Sequence, residues 1–161
     1  MGMRPFDQPE TARILDFLGE IGIRLEVTVL EDETFLPGMT VRHGTLLMDP
    51  DRLAWPGDLL HEAGHIAVSD PQLRAAADQV SLEPGEEMAA IAWSFAAATA
   101  IGLAARTVFH NGGYRGDGAS LAENFEQGHY LGVPLLQWFG MANAPGDPDR
   151  QLYPHMQRWL R

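Results

Sequence analysis

The sequence predicts a single α+β domain over residues 1–161, with a small antiparallel or mixed sheet packed on an apolar helix and on a second long helix. Three observations carry this. The run Ile23-Arg24-Leu25-Glu26-Val27-Thr28-Val29 alternates apolar and polar residues, the period of a half-buried strand. The segment Leu59-Leu60-His61-Glu62-Ala63-Gly64-His65-Ile66-Ala67-Val68 is largely apolar yet holds two histidines one helical turn apart. After Glu83-Pro84, residues Met88, Ile91, Phe95 and Ala98 form a stripe at helical spacing in an alanine-rich stretch, whose helical pattern continues to about Arg106. A chain of 161 residues suits one domain with a real core.

Taken in order, Asp7 can cap a first helix over 8–20, ended by Gly19 or Gly22. The strand at 23–30 comes next, then a polar turn at Glu31-Asp32-Glu33 and a second turn at Pro37-Gly38. Met39–Arg42 and Thr45–Met48 flank His43-Gly44 as a hairpin, with His43 a turn residue and no more. Trp55-Pro56-Gly57-Asp58 leads into the histidine-bearing helix, which Pro71 stops. Asp70 can cap a short helix over 71–80. His110–Gly118 has no phosphate-binding spacing and reads as a loop. Ser120 and Glu123 suit a capping box for a helix over 121–131. Leu135–Phe139 is a further apolar helix, Asn143–Asp149 a loop, and Tyr153–Leu160 a short terminal helix, with His155 on the surface.

Composition narrows the function classes. There is no cysteine, which excludes disulfides and thiolate ligands and leaves histidine and carboxylate as metal-binding types. The formal charge is -11 and all the basic residues are arginine, so a basic nucleic-acid-binding face is not expected even though Arg42, Arg52, Arg106 and Arg115 are available. No apolar run reaches the roughly 18 residues of a membrane span, and the N-terminal residues lack the apolar core of a signal peptide. The cytoplasm is the expected compartment.

His61-Glu62-Ala63-Gly64-His65 reads H-E-x-x-H. Its histidines share one helical face and can grip one metal ion, while Glu62 points about 100° away, beside the ion rather than on it. A carboxylate there can take a proton from water that the ion activates. The bland alternative is a core or surface histidine pair. Burial argues against it, because each unpaired buried polar atom costs about 1–3 kcal/mol. Gly64 is expected to allow another backbone to approach closely, since glycine inside a helix costs about 1 kcal/mol against alanine. A catalytic zinc takes three protein ligands. Glu87, beside the Met88–Ile91–Phe95 stripe, is the choice for the third. Glu86, Asp70, His110 and His129 are the alternatives, and Glu86 and Glu87 also suit a helix N-terminus without any metal.

The hairpin, the H-E-x-G-H helix and the later Glu87-Met88-Ala89-Ala90-Ile91-Ala92 segment together resemble the gluzincin branch of the zincin-like metallopeptidases. Within it they are similar to the ImmA/IrrE family. The likeness covers about Met39 to Ala98, and departs from that family's E-A-N-x-F-A segment at Met88 and Ala89. It implies a zincin-like fold, Zn2+ held by His61, His65 and Glu87, Glu62 as general base, and hydrolysis of a peptide or protein substrate. Tyr114, His110 and His129 are then candidates for an oxyanion donor, and the hairpin strand for pairing with an extended substrate. Two other classes stand beside this: a metal-binding regulatory module without turnover, and an interaction domain in which the histidine pair is incidental.

Overall fold

The computed structural model describes residues 2–76, 78, 83–146, 148 and 150–161. It is a mixed α+β arrangement of several helices and one small three-stranded sheet. Helix α1 runs Pro9–Ile21, and Gly22 closes it with φ 93°. Asp7 does not cap α1. Gln8 occupies that position, Pro9 opens the helix, and Asp7 is turned back into an ion pair with Arg4 at 2.7 Å.

Strands β1 (Arg24–Val27), β2 (Met39–Arg42) and β3 (Thr45–Met48) lie in the order β1-β3-β2. β3 pairs in parallel with β1 and antiparallel with β2, so the sheet is mixed. The β2–β3 hairpin turns on His43 and Gly44, with φ 50° and 70°. Two consecutive positive values are those of a type I′ turn, and the exposed His43 pairs with the exposed Asp78, Nδ1 to Oδ1 at 3.1 Å. The half-buried strand expected over 23–30 is shorter and more open. Ile23 is buried, but Val27 is 56% and Val29 76% exposed. The cause is topological: β1 is an edge strand, and after Val27 the chain leaves the ladder along Thr28 N–H to Met48 O and Leu30 N–H to the Asp49 carboxylate.

Helix α2 (Asp58–Val68) is buried along its whole length. Helix α3 (Pro84–Ala100) packs against it. The helical pattern expected to Arg106 breaks at Ile101-Gly102, where Gly102 takes φ 72°, and resumes as α4 (Ala105–Val108). Two glycines set the packing of α2. A Cβ on Gly64 would lie 3.0 Å from Ala90 O, and one on Gly57 would overlap Thr107 O at 1.8 Å. Asp70 does start a turn, accepting Gln72 N–H at 2.8 Å, but the chain then forms only a short 3-10 turn at Arg74–Ala76; the rest of the helix expected over 71–80 lies largely outside the described residues.

Helix α5 spans Gly118–Glu126 and α6 Val133–Trp138. Ser120 and Glu123 therefore sit inside α5 and form no capping box. Its start is fixed by Gly118, which lies so close to the backbone of His110 that a Cβ would be 2.2 Å from that carbonyl oxygen. The helix expected at 153–160 is absent: turns run there instead. Tertiary bonds claim that segment, with Tyr153 donating to Ala92 O at 2.7 Å and Trp159 O accepting from Trp93 Nε1 at 3.0 Å. The 143–149 loop carries no helix or strand where it is described. Phe95 of α3 forms an aromatic cluster with Phe109, Phe125 and Tyr153, while Trp93 packs separately against Phe17 and Trp159. Among the described residues no helix is long and apolar enough to cross a membrane.

Candidate metal centre

His61 and His65 share the face of α2 that meets α3, and both are almost fully buried. Their Nε2 atoms are 3.3 Å apart. With Glu62 they form a buried group whose ligand atoms all lie within 4.8 Å of one another, and this group could hold a metal ion. Direct contacts add Glu87 from the first turn of α3. One carboxylate oxygen lies 3.2 Å from His61 Nε2 and the other 2.7 Å from His65 Nε2. Zinc–ligand bonds of about 2.0–2.1 Å in tetrahedral directions put neighbouring donor atoms about 3.3 Å apart. The Nε2–Nε2 separation and the His61–Glu87 distance match that spacing, while Glu87 lies closer to His65 Nε2, at direct hydrogen-bond distance; two imidazoles and one carboxylate are also the donor chemistry of such a sphere.

Glu86, the neighbour of Glu87, reaches the opposite side of His65: its Oε1 is 3.3 Å from Nδ1. His61 Nδ1 faces the Tyr114 hydroxyl at 3.2 Å. Each imidazole therefore meets the shared centre with Nε2 and an outer polar partner with Nδ1. At the start of α2, Asp58 is buried and paired with His110, Nε2 to Oδ1 at 2.6 Å, while Trp55 stacks on that imidazole with centroids 4.2 Å apart. Gly112 N–H donates to His110 Nδ1 at 3.1 Å, which leaves Nε2 as the protonated nitrogen and the donor to Asp58.

Electrostatics follow burial first. Burial alone would lower the pKa of His65, but hydrogen bonds to Glu86 and Glu87 outweigh it and hold the value up at about 9. Burial alone would raise Glu87, but its bonds with His61 and His65 hold it well below the usual carboxylate range. Glu62 and Asp58 are both pushed up by burial, Glu62 against its histidine neighbours and Asp58 against its bond with His110. Burial, followed by the charges of Asp58, Glu87 and Glu62, pushes the Tyr114 phenol well above its ordinary range.

Of the residues singled out in the sequence, the structure gathers His61, Glu62, His65 and Glu87 at one place. Asp70 is exposed and bonded to Gln72 N–H, and His129 is exposed beyond α5. His110 is near the start of α2 but committed to Asp58. Sequence reasoning missed Asp58 as a buried participant. Its position three residues before His61 and four before Glu62 was the available signal, since those spacings share a helical face. Comparison with protein-family models, curated proteins and solved structures finds no match to this chain.

Proposed function

We propose that this protein is a zinc-dependent hydrolase of peptide bonds, with His61, His65 and Glu87 as the metal ligands and Glu62 as general base. The observation that carries the reading is the Glu87 carboxylate, set against both Nε2 atoms on the side where the two imidazoles meet. The resemblance of the H-E-x-G-H helix and the Glu87 segment to the gluzincin pattern points the same way.

When bound, zinc supplies Lewis-acid chemistry, polarising a carbonyl and making water acidic near neutral pH. The residues do the rest. His61 and His65 enter as neutral imidazoles, so the proton that His65 carries in the metal-free protein must leave. Glu62 lies within one water's reach of both ring nitrogens. It accepts a proton as water adds to the scissile carbonyl carbon, and returns it to the amine nitrogen as the C–N bond breaks. Its burial favours proton uptake, as this role requires. The partner is a peptide or protein chain.

Metal analysis of the purified protein is expected to find near one equivalent of zinc per chain. Glu62→Gln is expected to keep that zinc and lose hydrolysis of a peptide library by about 10²–10⁴-fold. A chain that takes up no zinc at neutral pH overturns the reading.

One observation favours a second reading, a metal-binding module without turnover. The three residues of the histidine group, His61, Glu62 and His65, are each 7% exposed or less. Tight zinc binding with no cleavage of any peptide would select it.

A further inference from the structure

The loop His110–Gly116 reaches the histidine pair through Tyr114. The Tyr114 hydroxyl lies 3.2 Å from His61 Nδ1, and its ring meets the imidazole edge to face at 5.6 Å. An imidazole that offers Nε2 to a metal must carry its proton on Nδ1. That N–H is buried here with His61, and the phenolic oxygen is the acceptor placed to receive it. We propose that Tyr114 is a positioning residue for the metal site: it accepts the His61 Nδ1–H, selecting the tautomer and fixing the ring plane that aims Nε2 at the ion. This rests on the zinc-site reading of His61, His65 and Glu87.

The loop is built to hold that hydroxyl. Tyr114 and Arg115 both adopt positive φ, 56° and 54°, a region that residues with side chains enter only when their surroundings enforce it. The enforcement is visible on both sides. His110 is clamped between the Asp58 carboxylate and the Trp55 indole. Gly112 lies so close that a Cβ there would be 2.7 Å from the Trp55 ring. The Tyr114 ring itself packs edge to face on Phe109, the residue that leads into the loop, at 5.4 Å. The clamp is also tied to α2 itself, because Asp58 stands one turn before His61. Ligand helix and outer loop are therefore set against each other at two points, and second partners of this kind are worth about 10–100-fold in metal affinity.

The test uses the intact protein and zinc itself, read by competition with a chromogenic chelator. Tyr114→Phe keeps the ring and its packing and removes only the oxygen. Zinc binding is expected to weaken about 10–100-fold, with an altered visible spectrum of the cobalt-substituted protein and a metal-free melting temperature near that of the parent. His110→Ala, which frees the loop without touching His61, is expected to weaken zinc in the same direction. It also serves if the phenylalanine variant fails to fold. Parental affinity and an unchanged cobalt spectrum in these variants overturn the positioning role while leaving the zinc site standing. Absence of zinc binding in the parent overturns both.

Discussion

Gly64 on α2 lies against the backbone of Ala90 on α3, where a Cβ would come within 3.0 Å of the carbonyl oxygen and 3.3 Å of Cα. This contact sets the distance between the helix that carries His61 and His65 and the helix that carries Glu87. The nearest obstructing atoms are backbone, so they cannot swing aside as a side chain would, and the Trp93 ring closes the remaining side at 3.3 Å.

Gly64→Ala is therefore predicted to destabilise the protein despite the better helix former. The propensity gain is about 1 kcal/mol, against about 1–3 kcal/mol for overpacking a tight interior. Melting should drop by a few degrees, and zinc affinity should fall because Glu87 is pushed off the two Nε2 atoms. A variant that melts above the parent and binds zinc as well would show that α3 can move without disturbing the ligands.

The adjacent acids Glu86 and Glu87 are predicted to separate in their effects. Glu87 faces both Nε2 atoms, whereas Glu86 reaches only the Nδ1 of His65. Glu87→Gln should abolish stoichiometric zinc. Glu86→Gln should retain zinc at about 10-fold weaker affinity, the effect of losing an outer carboxylate. Chelator competition on both variants decides it; equal losses would mean that the two carboxylates share the ion.

Local signals made the histidine helix and the hairpin legible. H-E-x-x-H sets its own spacing on a helix, and His43-Gly44 supplies the positive φ that a tight hairpin needs. Glu87 could be anticipated because the apolar stripe Met88–Ile91–Phe95 orients α3. What escaped the sequence depends on distant partners. The exposure of Val27 and Val29 comes from β1 being an edge strand, which alternation cannot reveal. The terminal stretch reads as helical until Tyr153 and Trp159 are bound to α3. Asp58 with His110, and His61 with Tyr114, are separated by 52 and 53 residues, so only the folded chain brings them together.

The C-terminus of α2 is buried, yet its last four carbonyls all have donors. Ser69 Oγ serves His65 O at 2.6 Å, Arg74 serves Ile66 O at 3.0 Å and Ala67 O at 3.2 Å, and Arg161 serves Ala67 O and Val68 O. Such carbonyls lack intrahelical partners, and a cation there also suits the helix dipole. Arg74→Ala is predicted to cost about 2 kcal/mol, the scale of losing hydrogen bonds from a charged donor, since Ile66 O keeps Ser69 N–H and Ala67 O keeps Arg161 N–H. In a domain of this size that is roughly 4–8 °C in melting temperature. Arg74→Lys should recover only part, since one ammonium cannot span the same carbonyls. Parental melting of the alanine variant would show that water replaces the guanidinium at no cost.

The metal-free protein is predicted to lose stability as pH rises from about 6.5 to 9. His65 is raised in the fold from 6.5 to about 9, so its contribution is fully present below 6.5 and vanishes as pH climbs through 9. Glu87 is lowered from 4.5, so its contribution is present above 4.5 and disappears only in acid. Asp58 and Glu62, raised by burial from 3.8 and 4.5, subtract stability as pH rises past those values, in the same direction as His65. Together these set a maximum on the mildly acidic side of neutrality. Zinc reverses the alkaline limb, because it binds His65 without its proton and its affinity grows as that proton leaves. Melting curves of chelator-treated protein should therefore fall between pH 6.5 and 9, while those of zinc-loaded protein hold or rise. A metal-free melting temperature that climbs across this range would mean that the His65 proton does not stabilise the cluster, and that Glu86 and Glu87 are held apart from it in solution.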